Sequence, residues 1–279
     1  MIKMKQEHPI SVHGKTIFIT GAFGLIGKQI SKAFLTQGAQ VVLADVNQSA
    51  IESITKEFSD LFDSTQFLIL PLDITLEDSI EKALEATLTR FGKLDVLVNN
   101  AAIDAKFDQE NTTKVNNSRF ENYPLQLLEK SIDVNLTGMI RMTQLACRQM
   151  LKQGFGNIIN IASTYSMVAP NQSLYDFGDG EEIRFKPIDY IATKSFVPNF
   201  TRYIATFYAK EGIRCNAIVP HAIFNNHAEK FTRNFAKLSP LGRMSQSSEL
   251  EGPFLLLASD ASSYMTGSIL TVDGGWTAW

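Results

Sequence analysis

The chain has 279 residues, of which 44% are hydrophobic and 20% are charged, and its formal net charge is −3. This balance is typical of a folded globular protein, and without a dense run of Lys and Arg it gives no reason to expect a nucleic acid as partner. No stretch reaches the roughly 20 apolar residues that span a bilayer, and residues 1–15 lack the apolar core of a secretory signal, so we expect a cytoplasmic protein without a membrane partner.

The first predicted elements are a strand, a glycine-rich turn and a helix. An apolar run from Lys15 to Thr20 predicts the strand, and apolar residues at helical spacing from Ile26 to Leu35 predict the helix. A second apolar run, from Gln40 to Ala44, follows closely. The order strand, helix, strand is typical of a βαβ unit, in which the two strands are parallel.

Five further buried strands are predicted along the rest of the chain, most of them separated by segments of helix length. They are Gln66 to Leu70, Val96 to Asn99, Asn157 to Ile161, Arg214 to Val219 and Ile269 to Val272. About seven strands alternating with about six helices predict an α/β fold, a doubly wound Rossmann-type parallel sheet with helices on both faces. No repeat or low-complexity linker divides the chain, so we expect one domain spanning residues 1–279.

The cysteines and histidines give no sign of a metal site. The chain has two cysteines and four histidines, and none of them stands at a spacing typical of metal ligands. We therefore expect no bound metal, and we interpret Cys147 and Cys215 as reduced packing residues.

The turn after the first strand carries three glycines, Gly21, Gly24 and Gly27. Gly21 can make the tight turn, Gly24 can let the backbone approach a pyrophosphate, and Gly27 can permit close helix packing. The helix N-terminus supplies N–H donors for the same phosphates. An incidental glycine turn is the alternative, but the position between a strand and a helix favours a dinucleotide-binding loop. The other loop residues predicted to contact the cofactor are Phe23, Leu25 and Ile26.

Asp45 stands at the end of the second predicted strand. A carboxylate at this place can accept hydrogen bonds from the adenosine ribose hydroxyls and would repel a 2′-phosphate. The segment from Thr20 to Gly27 and the residues just after Asp45 contain no Arg or Lys that could bind such a phosphate. NAD is therefore favoured over NADP, the alternative being that Asp45 merely caps the next helix.

Tyr190 and Lys194 stand four residues apart, one turn along the same face of a predicted helix. A phenol with an ordinary pKa near 10 is a poor acid-base catalyst at neutral pH, but a nearby ammonium group favours the phenolate and lowers that pKa. The spacing suits proton transfer, although an amphipathic surface helix can show it too.

In chain order, these motifs resemble those of the short-chain dehydrogenase/reductase family along nearly the whole chain. The further residues that carry the resemblance are Asp73 in LDIT, Asn99-Asn100-Ala101-Ala102, Asn135 in DVNLTG, Ser163 in NIASTYS, Pro220 to Ile223 and the final VDGGW. The resemblance implies an NAD(P)-dependent oxidoreductase with a one-domain Rossmann-type fold. It also implies a homo-oligomer, with a tetramer favoured.

The same resemblance implies four catalytic roles. Ser163 would orient the reacting oxygen, and Tyr190 would move the proton. Lys194 would bind the nicotinamide ribose and lower the pKa of Tyr190, while Asn135 would hold a water that links Lys194 to solvent. The cofactor-contacting positions that the resemblance adds are Asp73 and Ile74 at the adenine, Asn99 and Ala101 at the central strand, and Pro220 and Ile223 at the nicotinamide.

The glycine spacing and one residue near the cofactor depart from the family pattern. Gly24 produces TGxxGxxG instead of the usual TGxxxGxG, a spacing that resembles the branch acting on nucleotide sugars. We treat it as a local variant, since nothing after the final strand could build that branch's larger C-terminal domain. His221 replaces the glycine that usually follows Pro220.

The separation of Ser163 from Tyr190 is also longer than usual. Tyr175 stands at the customary distance of about a dozen residues, but its partner one helical turn later is Asp179, whose carboxylate would raise the pKa of the phenol. We therefore predict an insertion within residues 171–187, lying over the substrate pocket.

The insertion carries a polar mixture of side chains that suits a hydroxylated or charged substrate, although a solvated surface loop is the alternative. These residues are Asp176, Asp179, Glu181, Glu182, Arg184 and Lys186. The segment also resembles a subgroup associated with flagellin modification and surface sugars. The leading interpretation is an NAD(H)-dependent enzyme that interconverts an alcohol and a carbonyl on a small polar substrate, sugars being one candidate. The alternatives are a nucleotide-sugar epimerase or dehydratase with retained NAD, and a non-catalytic NAD-binding sensor.

Overall fold

The computed structural model describes residues 10–104, 117–176 and 184–279. Seven strands in this part of the chain form one sheet, and every predicted strand is found, with bounds that differ by no more than one residue at either end. The strands are β1 Thr16–Thr20, β2 Gln40–Asp45, β3 Phe67–Pro71, β4 Val96–Asn99, β5 Gly156–Ile161, β6 Ile213–Pro220 and β7 Ile269–Val272.

Eight α-helices connect the strands within the described residues. They are α1 Leu25–Thr36, α2 Ile51–Ser59, α3 Glu77–Phe91, α4 Leu125–Ile132, α5 Met139–Gln153, α6 Ile188–Tyr208, α7 Glu229–Leu238 and α8 Glu251–Ala258. The count exceeds the six predicted because two of the connections contain two helices each, α4 with α5 and α7 with α8.

The sheet is parallel throughout, in the order β3-β2-β1-β4-β5-β6-β7. Strand β1 is buried along its whole length, and Ile17 and Ile19 face one side while Phe18 faces the other. Helices on both faces account for the apolar character of the strands, because a strand covered on both sides has no solvent-facing positions. The doubly wound parallel sheet predicted from the sequence is confirmed.

The two helical layers bury separate cores. On one face the aromatic residues Phe34, Phe58 and Phe254 come from α1, α2 and α8. On the other face α3, α5 and α6 contribute, with Met142 and Val197 among the fully buried side chains.

The strand order reverses between β1 and β4, since the chain winds outward in one direction from β1 and in the other from β4. At such a point the connections after the two strands leave to opposite faces, which opens a crevice at their carboxyl ends. The glycine turn follows β1, Asn99 ends β4, and Ser163 follows β5. The topology therefore brings the predicted site residues to one edge of the sheet.

Cys147 and Cys215 are free and buried, as predicted. Among the described residues no helix is long and apolar enough to cross a membrane. The predicted insertion 171–187 is described at both ends, as residues 171–176 and 184–187, whereas Asp179, Glu181 and Glu182 lie outside the described residues.

Candidate active site

Two glycines of the turn between β1 and α1 are required by packing. Gly21 has a φ of +63°, and a Cβ on it would lie 2.7 Å from the Cα of Ala101. A Cβ on Gly27 would lie 2.5 Å from the carbonyl oxygen of Gly21. Both distances are shorter than real contacts allow, so these two positions exclude any side chain.

Gly24 serves a different purpose, because its backbone is ordinary and its surroundings are open. Its φ is −71°, and the nearest atom to a Cβ there would be the Gly21 carbonyl oxygen at 3.5 Å. Gly24 is also the N-cap of α1, which has no side-chain cap and no acidic residue in its first turn. The N–H groups at this helix end therefore remain suited to an anion such as a pyrophosphate. Of the neighbouring loop side chains, Phe23 and Ile26 pack against the core and Leu25 is 40% exposed.

Asp45 lies beside the glycine turn at the end of β2. Its Oδ2 accepts a hydrogen bond of 2.9 Å from the backbone N–H of Phe23, and its Oδ1 accepts one of 3.0 Å from Asn47. Lys28, the first basic residue after the glycine turn, forms an ion pair of 2.7 Å with Glu57. The Asp45 carboxylate is thus held in place at the crevice, and the ammonium group of Lys28 is engaged elsewhere.

A cleft of about 720 Å³ adjoins the end of β2 and includes Val46, Asp73 and Arg141 in its wall. The Oδ1 of Asp73 accepts hydrogen bonds from the backbone and the hydroxyl of Thr75, at 2.9 and 2.7 Å. Ile74 beside it is buried. The predicted adenine positions therefore border a space next to Asp45.

Two asparagines brace the crevice from β4. Asn99 is buried, and its amide donates to Thr143 of α5 at 2.9 Å and to Asn160 of β5 at 2.8 Å. The next residue, Asn100, donates to the carbonyl oxygens of Thr20 and Gly21 at 2.9 and 2.7 Å. Asn99 thus ties the central strand to β5 and α5. Asn100 holds the glycine turn, a role that the sequence did not indicate.

Ser163 follows β5 and caps a short turn, with its Oγ accepting from the backbone N–H of Tyr165 at 3.2 Å. The Ser163 hydroxyl also lowers the pKa of the nearby Tyr190 phenol. Tyr190 and Lys194 lie one turn apart on α6, and the Nζ of Lys194 is 5.7 Å from the centre of the Tyr190 ring. The structure therefore brings the predicted serine, tyrosine and lysine together.

The pKa of Tyr190 does not move in the direction that the sequence predicts. Burial raises it, the charge of Asp104 raises it further, and the Ser163 hydroxyl lowers it. Burial likewise lowers the pKa of Lys194 to about 8, and its ammonium group donates to the carbonyl oxygen of Ile161 at 2.7 Å. The prediction fails because removing the phenol from water disfavours its charged form, a cost that residue spacing alone does not show.

Asn135 lies in a π-helical turn, Asp133–Gly138, between α4 and α5. Its amide forms two hydrogen bonds of 2.8 Å with the backbone of Ile103 and donates to Thr193 of α6 at 3.1 Å. A π turn displaces one residue from the regular helical pattern, and such turns are frequent at functional sites. Asn135 is thereby fixed against α6 through Thr193, the residue before Lys194. Its role in holding a water stays a prediction.

The segment after β6 reaches the same edge of the sheet. Pro220 ends the strand, and Ile223 forms a β-bridge with Ser245. His221 between them is buried, and its Nδ1 forms a hydrogen bond with the hydroxyl of Thr164, next to Ser163.

Tyr175 takes part in a different set of contacts from Tyr190. Its ring packs against Phe231 with 5.7 Å between centres, and its hydroxyl lies 3.4 Å from that of Tyr165. Burial raises the pKa of its phenol. These contacts support Tyr190, which adjoins both Ser163 and Lys194, as the tyrosine of the site.

An ion pair beside Tyr190 was not foreseen. The Nζ of Lys186 lies 2.5 and 2.6 Å from the two carboxylate oxygens of Asp104, and 4.5 Å from the centre of the Tyr190 ring. The sequence marked Lys186 only as one of several charged residues in the insertion. No periodicity links it to Asp104, 82 residues away.

Comparison with protein families gives matches along most of the chain. A family model described as short chain dehydrogenase matches residues 15–176, and one described as enoyl-(acyl carrier protein) reductase matches residues 180–277.

Two curated relatives match over nearly their whole length. A 3-oxoacyl-[acyl-carrier-protein] reductase of Thermotoga maritima is 31% identical, with 95% of this chain and 98% of the relative covered. A 2-dehydro-3-deoxy-D-gluconate 5-dehydrogenase of Bacillus subtilis is 32% identical, with 95% and 96% covered.

Two solved structures share the architecture. A short chain dehydrogenase from Leptospira borgpetersenii with bound NAD+ has a TM-score of 0.81 at 29% identity, covering 96% of this chain and 94% of its own. A gluconate 5-dehydrogenase from Burkholderia cenocepacia in complex with NADP and tartrate has a TM-score of 0.80 at 27% identity, covering 97% and 98%.

Proposed function

The chain belongs to the short-chain dehydrogenase/reductase family, and we propose that Ser163, Tyr190 and Lys194 perform its chemistry, with Asn135 as their support. The protein is an NAD(P)-dependent oxidoreductase that interconverts an alcohol and a carbonyl group. The relatives described above are dehydrogenases and a reductase, so neither an epimerase or dehydratase nor a non-catalytic sensor is favoured.

The observation that carries the proposal is the convergence of Ser163 and Lys194 on Tyr190. When bound, the nicotinamide cofactor supplies or accepts a hydride, which leaves one proton to be moved on the substrate oxygen. The Tyr190 phenol moves that proton, and the Ser163 hydroxyl donates a hydrogen bond to the same oxygen and orients it. Burial keeps the phenol protonated, which is the form that donates a proton to a carbonyl oxygen.

Lys194 places a positive charge beside the phenol. In the oxidation direction Tyr190 must accept a proton, and the ammonium group then stabilises the phenolate relative to the phenol. The Ile161 carbonyl, at 2.7 Å, fixes the ammonium group in the crevice. There it is placed to bind the nicotinamide ribose, while Asn135 holds the neighbouring helix turn through Thr193.

NAD is the proposed cofactor, in preference to NADP. Asp45, held by the backbone N–H groups of Phe23 and Asn47, would accept hydrogen bonds from the adenosine ribose hydroxyls. A 2′-phosphate would meet this carboxylate at close range, and Lys28 is already paired with Glu57. Asp73, Ile74, Asn99, Ala101, Pro220 and Ile223 complete the proposed cofactor site.

We further propose a small polar substrate and a homo-oligomer, with a tetramer favoured. The polar substrate is supported by the charged Lys186 and Asp104 beside Tyr190. The oligomer is supported by Tyr203 and Phe207, which lie one turn apart on α6 and are 59% and 58% exposed. Large exposed aromatic side chains on one helical face suit contact with a second copy.

Replacement of the serine tests the proposed chemistry. Ser163→Ala should leave the affinity for NADH within about threefold and lower kcat by about 100-fold, since it removes a hydrogen bond to the reacting oxygen. Ser195→Ala is the control, because that hydroxyl only donates to the Ile191 carbonyl on the exposed side of α6. Rates come from NADH absorbance during a screen of alcohols, sugars and their carbonyl forms. Equal turnover by Ser163→Ala and Ser195→Ala would overturn the assignment.

A further inference from the structure

The ion pair of Lys186 and Asp104 joins two segments that border the candidate active site. Asp104 follows β4, and Lys186 stands two residues before α6. The Lys186 side chain is only 10% exposed, whereas that of Asp104 is 47% exposed. One partner is therefore almost enclosed by protein, and the other reaches solvent.

Both charged groups are held in place by neighbouring hydrogen bonds. The side-chain amide of Gln172 accepts from the backbone N–H of Lys186 at 2.8 Å and donates to its carbonyl oxygen at 3.3 Å. On the other side, the amide of Asn135 binds both backbone groups of Ile103, the residue before Asp104. The position of the pair is thus set by the insertion and by the π turn of the site itself.

The pair lies next to the proposed proton-transfer group. The Nζ of Lys186 is 4.5 Å from the centre of the Tyr190 ring and 6.0 Å from that of Tyr165, whose backbone holds Ser163. Lys186 and Asp104 therefore lie close enough to Tyr190 to contact a substituent beside an oxygen that Ser163 and Tyr190 bind.

The chemistry of the pair selects among substituents. An ammonium group has three N–H donors, of which Asp104 takes two, and a carboxylate accepts at about four positions. A hydroxyl both donates and accepts, so it can bind the ammonium group and the carboxylate at once. A substrate carboxylate would be repelled by Asp104, and a hydrocarbon would take both charges out of water without replacing their hydrogen bonds.

We propose that Lys186 and Asp104 together bind a second hydroxyl of the substrate, close to the reacting carbon, so that the enzyme selects diols and hydroxy ketones of the polyol class. This inference rests on the proposed function, in which Ser163 and Tyr190 bind the reacting oxygen. The inference assigns substrate specificity to two residues, Lys186 in the insertion and Asp104.

The test compares alcohols that differ only in the group next to the reacting carbon. The probes are propan-2-ol, propane-1,2-diol and 2-hydroxypropanoate, together with cyclohexanol, trans-cyclohexane-1,2-diol and trans-2-hydroxycyclohexanecarboxylate. Oxidation of each by the full-length protein with NAD is followed by NADH absorbance. We expect kcat/KM for the diol to exceed that of the mono-alcohol and of the hydroxy acid by about 10- to 100-fold, the effect of a hydrogen bond to a charged group.

Variants assign that preference to the pair. Lys186→Met and Asp104→Asn should each reduce the ratio of diol to mono-alcohol kcat/KM to within about threefold of unity. Lys15→Met is the matched control, because it breaks a comparable ion pair, 2.8 Å from Nζ to Asp260 Oδ1, far from the site. Thermal unfolding of each variant reports whether it folds, and Asp104→Asn keeps the shape of the side chain if Lys186→Met does not fold.

The outcomes separate the inference from the proposed function. A wild-type enzyme that oxidises the hydroxy acid or the mono-alcohol as well as the diol overturns the inference alone. So does a diol preference that survives in both variants, since the pair would then only anchor the insertion. If no alcohol in the set or in the wider screen changes NADH absorbance, the proposed function fails instead.

Discussion

Gly24, the N-cap of α1, and Gly27, in its first turn, should differ in what an added methyl group disturbs. In Gly27→Ala the new Cβ would lie 2.5 Å from the Gly21 carbonyl oxygen and 2.7 Å from the Cα of Ala22. Both are backbone atoms, so relief requires movement of the turn, and overpacking of this kind costs about 3 kcal/mol. Alanine recovers about 1 kcal/mol through its higher helix propensity. We therefore expect the free energy of unfolding to fall by about 2 kcal/mol.

Gly24→Ala is the matched control for stability and the more severe change for cofactor binding. Its Cβ would meet only the Gly21 carbonyl oxygen, at 3.5 Å, so the free energy of unfolding should change by less than about 1 kcal/mol. The methyl group would instead occupy the space through which a pyrophosphate reaches the helix N-terminus. The affinity for NADH should therefore fall by about tenfold or more.

Urea unfolding without cofactor, followed by tryptophan fluorescence, measures the stability of both variants, and fluorescence titration measures NADH binding. The reasoning is refuted if Gly24→Ala loses as much stability as Gly27→Ala. It is equally refuted if Gly24→Ala binds NADH with the affinity of the wild type.

Two further predictions concern cofactor choice and acid stability. Asp45→Ala should lower the preference for NADH over NADPH by about tenfold, because the carboxylate no longer binds the ribose or repels a 2′-phosphate. Titration with both cofactors measures the ratio of the two affinities. An unchanged ratio, or an equal change in the exposed control Asp60→Ala, would contradict the prediction. Burial lowers the pKa of His221 from 6.5 to about 4, so between these values the unfolded chain binds more protons than the folded protein. Stability from this residue is complete above pH 6.5 and is lost as the pH falls toward 4, by about 3 kcal/mol in total. Urea unfolding at pH 7 and pH 4.5 measures how much of the free energy of unfolding is lost at the lower pH. This loss should be smaller in His221→Gln than in the wild type or the exposed control His13→Gln. Equal losses in all three proteins would count against a buried neutral imidazole at His221.

The sheet could be predicted from the sequence because its signals are local. Each strand is a short apolar run, and burial on both faces keeps such runs free of polar residues, so their bounds were found to within one residue. The glycine turn and Asp45 are likewise local, since a strand end and a helix start fix the positions of both. Order along the chain was then enough to place Ser163 and Tyr190 at one edge of the sheet.

The contacts that tune the site could not be predicted in the same way. The π turn at Asn135 leaves no period in the sequence, and the pairing of Lys186 with Asp104 depends on how two loops meet in space. The raised pKa of Tyr190 follows from burial, which depends on everything packed around the phenol. These features belong to tertiary structure, and spacing within one helix carries no information about them.

The central claim is that Tyr190 moves the proton, although Tyr175 stands at the more usual distance from Ser163. The most direct measurement compares kcat and NADH affinity of Tyr190→Phe and Tyr175→Phe on the same substrate. Loss of a positioned acid-base group should lower kcat of Tyr190→Phe by about 10²- to 10⁴-fold with NADH affinity nearly unchanged. Tyr175→Phe, which loses a contact of 3.4 Å with the Tyr165 hydroxyl, should stay within about tenfold of the wild type. Full activity in Tyr190→Phe, or its loss in Tyr175→Phe alone, would contradict the assignment.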